Sequence, residues 1–196
     1  MSTPSDGFVS LITFPVCDLS TLDDATSRVI GYLTHVLTGQ DGRPFCPFVR
    51  LVHERNGYSV RHFDASPEAV DFTCVTRLLY EAFRRRSPRM TCAAQSVDVT
   101  TVVVAFSHPE AMSEAFGVCL EEACNTHRQF FLDRGLMLVH MFAAHDDPKG
   151  GGRYRSAIPL FMVRRMHHED HVFMKTPAER AAYGCYFDPS IFEKGK

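Results

Sequence analysis

His127 is the residue in this chain best placed to do chemistry. It falls on a stripe of Met112, Phe116, Cys119, Leu120, Ala123, His127 and Phe131, spaced by threes and fours between Ser107 and Gly135. Glu110, Glu114, Glu121, Glu122 and Arg128 fall mainly elsewhere. That periodicity predicts one long amphipathic helix with an imidazole on its buried side. An imidazole turned toward an apolar interior needs a hydrogen-bond partner, a substrate or a metal. One use is ligation of haem iron, for which a neutral imidazole on a helix beside an apolar cavity is the usual donor. Phe116, Leu120, Cys124, Phe130 and Phe131 would then supply apolar walls. The other use is a core histidine bonded to a backbone carbonyl or a carboxylate, and from spacing alone this is the commoner one.

Three further clusters carry reactive types. Cys46-Pro47-Phe48 sets a thiol at the mouth of a strand, where a nucleophilic role would need a base to populate the thiolate. His53 and His62 lie in the adjoining segment. His167 and His171 in His167-His168-Glu169-Asp170-His171 stand four apart and would share a metal only on a helix. The stretch follows a strand and is polar all round, so it reads as an exposed connection. The loop from His145 to Ser156 holds Gly150, Gly151 and Gly152 next to Arg153 and Arg155. Its amides can approach an anion closely and its arginines can clamp a carboxylate, although a flexible surface loop fits equally well. It lacks the lysine-hydroxyl pair of a nucleotide-binding phosphate loop.

The elements that must position these groups are readable from pattern. Phe8 to Pro15 suits a strand, and Ser20 opens a helix that closes at Gly39. Phe48 to Glu54 and Tyr58 to Phe63 predict a hairpin turning at Asn56-Gly57. Ser66-Pro67 starts a helix with Val70, Cys74, Leu78, Leu79, Ala82 and Phe83 on its inner face. Val97 to Phe106 is β-branched and reads as a central strand. The His127 helix stops at Gly135, a left-handed cap. Leu136 to Phe142 and Ile158 to Met166 are two more strands, and Thr176-Pro177 with Glu179 opens a last helix through a capping box. The fold class is α+β: a single globular domain over residues 1–196, with 1–6 frayed, and helices packed on a mostly antiparallel sheet.

Composition excludes several classes. A formal net charge of −2 is the wrong sign for a nucleic-acid scaffold, so no nucleic-acid partner is expected. Arg84, Arg85, Arg86 and Arg89 are explained as a basic helix end opposing the dipole. The seven cysteines show no C-x-x-C spacing, no leader pattern opens the chain, and no run of eighteen apolar residues occurs. These features lead to the expectation of a reduced cytoplasmic protein without a membrane span. Exposed strands would support a homodimer.

Taken together, Cys46-Pro47-Phe48, Gly135-Leu136-Met137-Leu138 and the run Pro159 to Met166, continuing to Asp170 and Phe173, resemble a bacterial domain-of-unknown-function family found in specialised-metabolite gene neighbourhoods. That family is distantly similar to the YqcI/YcgG haem-dependent oxygenases, which also carry a Cys-Pro-Phe and hydroxylate nitrogen on amino-acid or guanidino substrates. The resemblance implies a haem b oxygenase acting on a small nitrogen-bearing metabolite. His127 would hold the iron against Phe131. Arg153, Arg155 or Arg165 would anchor propionates or a substrate carboxylate. His140 would be a distal donor or second axial ligand. The absence of C-x-x-C-H makes the haem non-covalent. Two alternatives stand beside it: a cofactor-free small-molecule binding protein, and a cysteine-dependent transferase using Cys46.

Overall fold

Six consecutive residues, Thr101–Phe106, are all buried and four of them are β-branched, which fits a strand covered on both faces. The computed structural model describes Val29, Val52 and residues 57–64, 66–87, 100–142 and 158–192. Within them the strands are β1 (Tyr58–Phe63), β2 (Thr101–Phe106), β3 (Leu136–Met141) and β4 (Leu160–Arg165), in the order β1-β2-β4-β3. β1 pairs parallel with β2, from Tyr58 opposite Thr101 to Phe63 opposite Phe106. β4 runs antiparallel to both β2 and β3. The architecture is α+β with a mostly antiparallel sheet.

Three helices complete it: α1 (Phe72–Arg86), α2 (Glu114–Leu132) and α3 (Pro177–Gly184). Alternation along the strands sends Val102, Val104, Phe106, Leu136, Leu138, Phe161 and Val163 toward α1 and α2. The opposite face buries Val60, Val103, Ala105, Leu160 and Met162 against Val29 and Val52, both of which are helical. α3 closes a smaller apolar cluster of Leu132, Met137, Met166, Met174, Ala182 and Tyr183. No helix among the described residues is long and apolar enough to cross a membrane.

Three expectations are corrected. The hairpin does not form, because Val52 is helical and β1 finds its partner in β2 instead. Gly57 N–H donates to the Val52 carbonyl at 2.8 Å, a span of five residues that commonly closes a helix C-terminus. Second, α1 begins not at Ser66 but at Asp71, whose Oδ1 accepts the Cys74 N–H at 3.1 Å. Pro67–Ala69 is a separate 3₁₀ turn, and the buried face moves to Val75, Thr76, Leu79, Ala82 and Phe83. Third, the long helix from Ser107 is split by a 3₁₀ turn, Pro109–Met112, before Ser113 caps α2. Met112 and Cys119 are exposed, not on the buried stripe.

Other expectations hold. Gly135 adopts φ +67° after α2, where a Cβ would also meet the Tyr186 ring. Thr176 Oγ1 accepts the Glu179 N–H while Glu179 Oε2 accepts the Thr176 N–H at 2.8 Å, a complete capping box. The expected strand at Phe8 to Pro15, the glycine loop and nearly all of the Ser20 helix lie outside the described residues.

Candidate functional site

His127 sits on the flank of α2, half-buried and not at the centre of the apolar stripe. The fully buried line runs through Phe116, Gly117, Leu120, Cys124 and Phe131. Among the described residues His127 makes no hydrogen bond. Phe130 and Phe131 follow at three and four residues, so they flank His127 on one side of the helix, and Arg134 lies in the turn just past the helix end. Phe131 is fully buried, whereas Phe130 is 41% exposed. That combination gives the face an anchored base and an open rim.

α1 completes this surface. The Tyr80 ring meets Phe130 edge-on at 5.1 Å and Phe131 at 6.2 Å. Arg134 lies over Phe130 at 3.8 Å from the centroid and 5.7 Å from Tyr80, while Arg84 lies 5.9 Å from Tyr80 on its own helix. Arg134 Nη1 also donates to the Phe130 carbonyl at 2.8 Å. Arg84 stands in the last turn of α1 and Arg134 just past the C-cap of α2, where the dipole favours positive charge. The result is a strip of aromatic faces edged by guanidiniums. It suits a flat, partly apolar ligand bearing carboxylates.

Nearer the N-terminal ends of the two helices, Phe72, Phe106, Phe116 and Phe161 contact one another at centroid separations from 5.2 to 6.1 Å. This packed cluster is about 12 Å along α1 from Tyr80 and about 21 Å along α2 from Phe130.

The other expected residues are dispersed. Arg165 shares the helix side of the sheet with Phe161 and Val163, and its Nη2 donates to Ser87 Oγ at 2.9 Å beside the Phe83 ring. His140 is half-buried on β3, its ring stacked on Phe142 at 6.1 Å. Phe142 covers Gly117, where a Cβ would run into its ring. The Cys124 thiol donates to the Leu138 carbonyl at 3.6 Å. His140 therefore lies level with the turns between Gly117 and Cys124, about 5–15 Å along the helix axis from His127. Cys46, Arg153 and Arg155 lie outside the described residues. His62 is on β1, on the side of Tyr58 and Val60.

Burial pushes the Cys124 thiol up to about 12, with Arg128 lowering and Glu121 raising it to a smaller extent. It stays protonated at neutral pH and is no nucleophile. His167 and His171 are not on an α-helix: the stretch forms a 3₁₀ turn, His168–Phe173, which His167 caps. No trio of histidine, cysteine or carboxylate among the described residues could hold a metal ion.

Pattern reading missed two features. Arg164 and Asp170 form a buried bidentate pair at 2.6 and 2.7 Å. A charge inside an apolar strand with an acid six residues on was the available signal. The other is the aromatic–cationic strip, whose Tyr80 and Arg84 come from a different helix than Phe130 and Arg134.

The fold and site thus define an α+β protein with an open aromatic–cationic strip on its helical layer. The profile of the domain of unknown function DUF6875 matches residues 29–195. The chain belongs to that family. No curated protein and no solved structure matches it.

Proposed function

We propose that this protein binds haem b on the strip formed by α1 and α2 and uses it to oxygenate a small nitrogen-bearing metabolite. The observation that carries the reading is His127: a half-buried imidazole on the same side of α2 as Phe130 and Phe131, engaged by no hydrogen bond among the described residues. The donor set fits the group, with one imidazole for iron, aromatic faces for the ring and two cations for its carboxylates. Bound haem supplies activation of dioxygen or peroxide, chemistry that no side chain provides.

The chain's own residues do the rest. The exposed Phe130 would give the ring an apolar surface, with the buried Phe131 packed beside it as support. Arg134 and Arg84 offer charge-assisted hydrogen bonds to propionates. Arg165, already bonded to Ser87, is the weaker anchor, and Arg153 and Arg155 of the glycine loop are proposed for a substrate carboxylate. His140, at another level of α2, is a donor toward substrate and not a second ligand to the same iron. Among the described residues Cys74, Cys119, Cys124 and Cys185 are free thiols, in keeping with a reduced setting.

One observation favours a second reading, a cofactor-free small-molecule binding protein: the exposed Phe130 ring and the guanidiniums of Arg134 and Arg84 would hold a small aromatic acid without a prosthetic group. The visible spectrum of protein expressed with added haem separates the two. A Soret band that shifts or disappears in His127→Ala is expected. Absence of the band after reconstitution overturns the oxygenase, and a band unchanged in His127→Ala refutes this ligand.

A further inference from the structure

The 3₁₀ turn His168–Phe173 is entered through an imidazole. His167 has extended backbone, its Nδ1 accepts the Glu169 N–H at 3.4 Å, and its own N–H donates to Asp170 Oδ2 at 2.7 Å. A ring nitrogen that accepts an N–H carries no proton, so neutral His167 keeps its proton on Nε2. That Nε2 lies 3.1 Å from His168 Nδ1, with the ring centroids 4.0 Å apart. Nε2 therefore donates, His168 Nδ1 accepts, and the His168 proton sits on its Nε2, 3.7 Å from Glu169 Oε1. Each ring fixes the tautomer of the next.

An added proton cannot enter the His167 ring without breaking a bond: it would have to go on Nδ1, and there it expels the Glu169 N–H.

We propose that His167 and His168 form a proton-sensitive latch, closed as a neutral pair and opened by acidification, which holds the 3₁₀ turn and α3 against α2 and the sheet. The inference does not depend on haem. The turn is a structural junction: Tyr183 of α3 donates to the His168 carbonyl at 2.7 Å, as does His171 Nδ1 at 2.9 Å. Arg164 of β4 grips Asp170, and Arg128 of α2 donates to the Phe173 carbonyl at 2.9 Å while pairing with Glu179 of α3.

The charged groups around His167 oppose one another. Burial is the largest influence and, with His168 and Arg164, lowers His167 below the usual histidine value; Asp170 and Glu169 pull the other way without prevailing. The closed form therefore refuses a proton that the open form accepts. Its stabilisation is complete above about pH 6.5 and is lost as pH falls below that value. One such proton changes the opening equilibrium by up to about tenfold per pH unit. His108 offers an internal comparison: it caps Pro109–Met112 through the same Nδ1 acceptance, at 3.3 Å, with no second imidazole against it among the described residues.

Amide hydrogen exchange on the full chain tests the latch, corrected for intrinsic exchange and referenced to β2. Between pH 6.5 and 5.5 the opening constant of residues 168–184 should rise by up to about fivefold relative to β2. His167→Asn retains a capping acceptor that does not titrate, and should flatten that response. Histidine ring NMR should find His167 as the Nε2–H tautomer at neutral pH. A pH response equal to that of β2, an undiminished response in His167→Asn, or an Nδ1–H tautomer would each overturn the proposal.

Discussion

Asp170→Asn probes the polar group on which the C-terminal segment turns. Asp170 is 2% exposed and accepts three hydrogen bonds: Arg164 Nη2 on Oδ1 at 2.6 Å, and Arg164 Nη1 and His167 N–H on Oδ2, both at 2.7 Å. An amide of the same shape removes the negative charge and puts an NH₂ where a donor already points. Arg164 is only 8% exposed and cannot shed its proton, so it remains a buried cation with one neutral acceptor and the Arg165 carbonyl at 2.8 Å. Removing one partner of a buried pair costs about 3–5 kcal/mol, and the surviving bonds point to the lower end, about 3 kcal/mol. For a domain of this size that lowers the melting temperature by about 6–12 °C. The chain has no tryptophan, so far-UV circular dichroism in urea is the assay; the midpoint should fall with the slope unchanged. The double variant Arg164→Met with Asp170→Leu removes both charges and leaves chiefly the His167 N–H to satisfy, a cost of about 1–3 kcal/mol. A single variant within about 1 kcal/mol of the parent, or a double variant less stable than the single, refutes the account.

Two other outcomes follow from the same geometry. Burial raises Glu179, but the Thr176 and Lys175 amides and Arg128 outweigh it and hold the carboxyl below the usual range. Its stabilisation is thus present above the unfolded value near 4.5 and is lost as pH falls through the folded one. Glu179→Gln should cost about 1–2 kcal/mol at pH 7 and flatten the acid limb of melting temperature against pH; an unaltered limb contradicts the assignment. For thiols, alkylation at pH 8 should label the exposed Cys119 and Cys185 quickly and leave Cys124, held near 12, untouched until the chain unfolds. Equal rates at all three would show the Cys124 site to be open.

What could be read from the sequence depended on how local its cause was. The Thr176–Glu179 box, the left-handed Gly135 and the β-branched run of β2 each arise within a few residues, and each is found where the pattern placed it. The hairpin failed because pairing is not local. Tyr58–Phe63 has the right alternation for a strand, but nothing within it states whether its neighbour precedes Asn56-Gly57 or lies forty residues on. The α1 start failed by competition between two caps, Ser66 and Asp71, of which Asp71 makes the side-chain bond. On α2 the period was right and the phase slightly off: Cys119 turns outward and His127 falls on the flank, because the buried line that meets the sheet runs through Phe116, Leu120, Cys124 and Phe131. The strip had to be missed in part. His127, Phe130 and Phe131 are legible as one side of α2, but Tyr80 and Arg84 join them only through tertiary packing.

That packing gives α2 two different edges, and their difference is informative about where ligand chemistry belongs. The edge toward α3 is saturated: Arg128 is committed to Glu179 at 2.7 Å and to the Phe173 carbonyl, so its charge is neutralised and its geometry fixed. The edge toward α1 carries Arg134 and Arg84 against ring faces, and among the described residues neither Arg134 nor His127 has a carboxylate partner. Arg84 has one only at 3.7 Å, to an exposed Glu81, an interaction worth little in water. A cation resting on an aromatic ring at the surface gives up about 0.5–1 kcal/mol when it turns to an anion, far less than a buried ion pair would. An incoming carboxylate therefore meets little competition on the α1 edge and strong competition on the α3 edge. His127 stands one residue before Arg128 but on the other flank of the helix, so under the proposed function the imidazole, and not its neighbouring guanidinium, is the group left for a ligand.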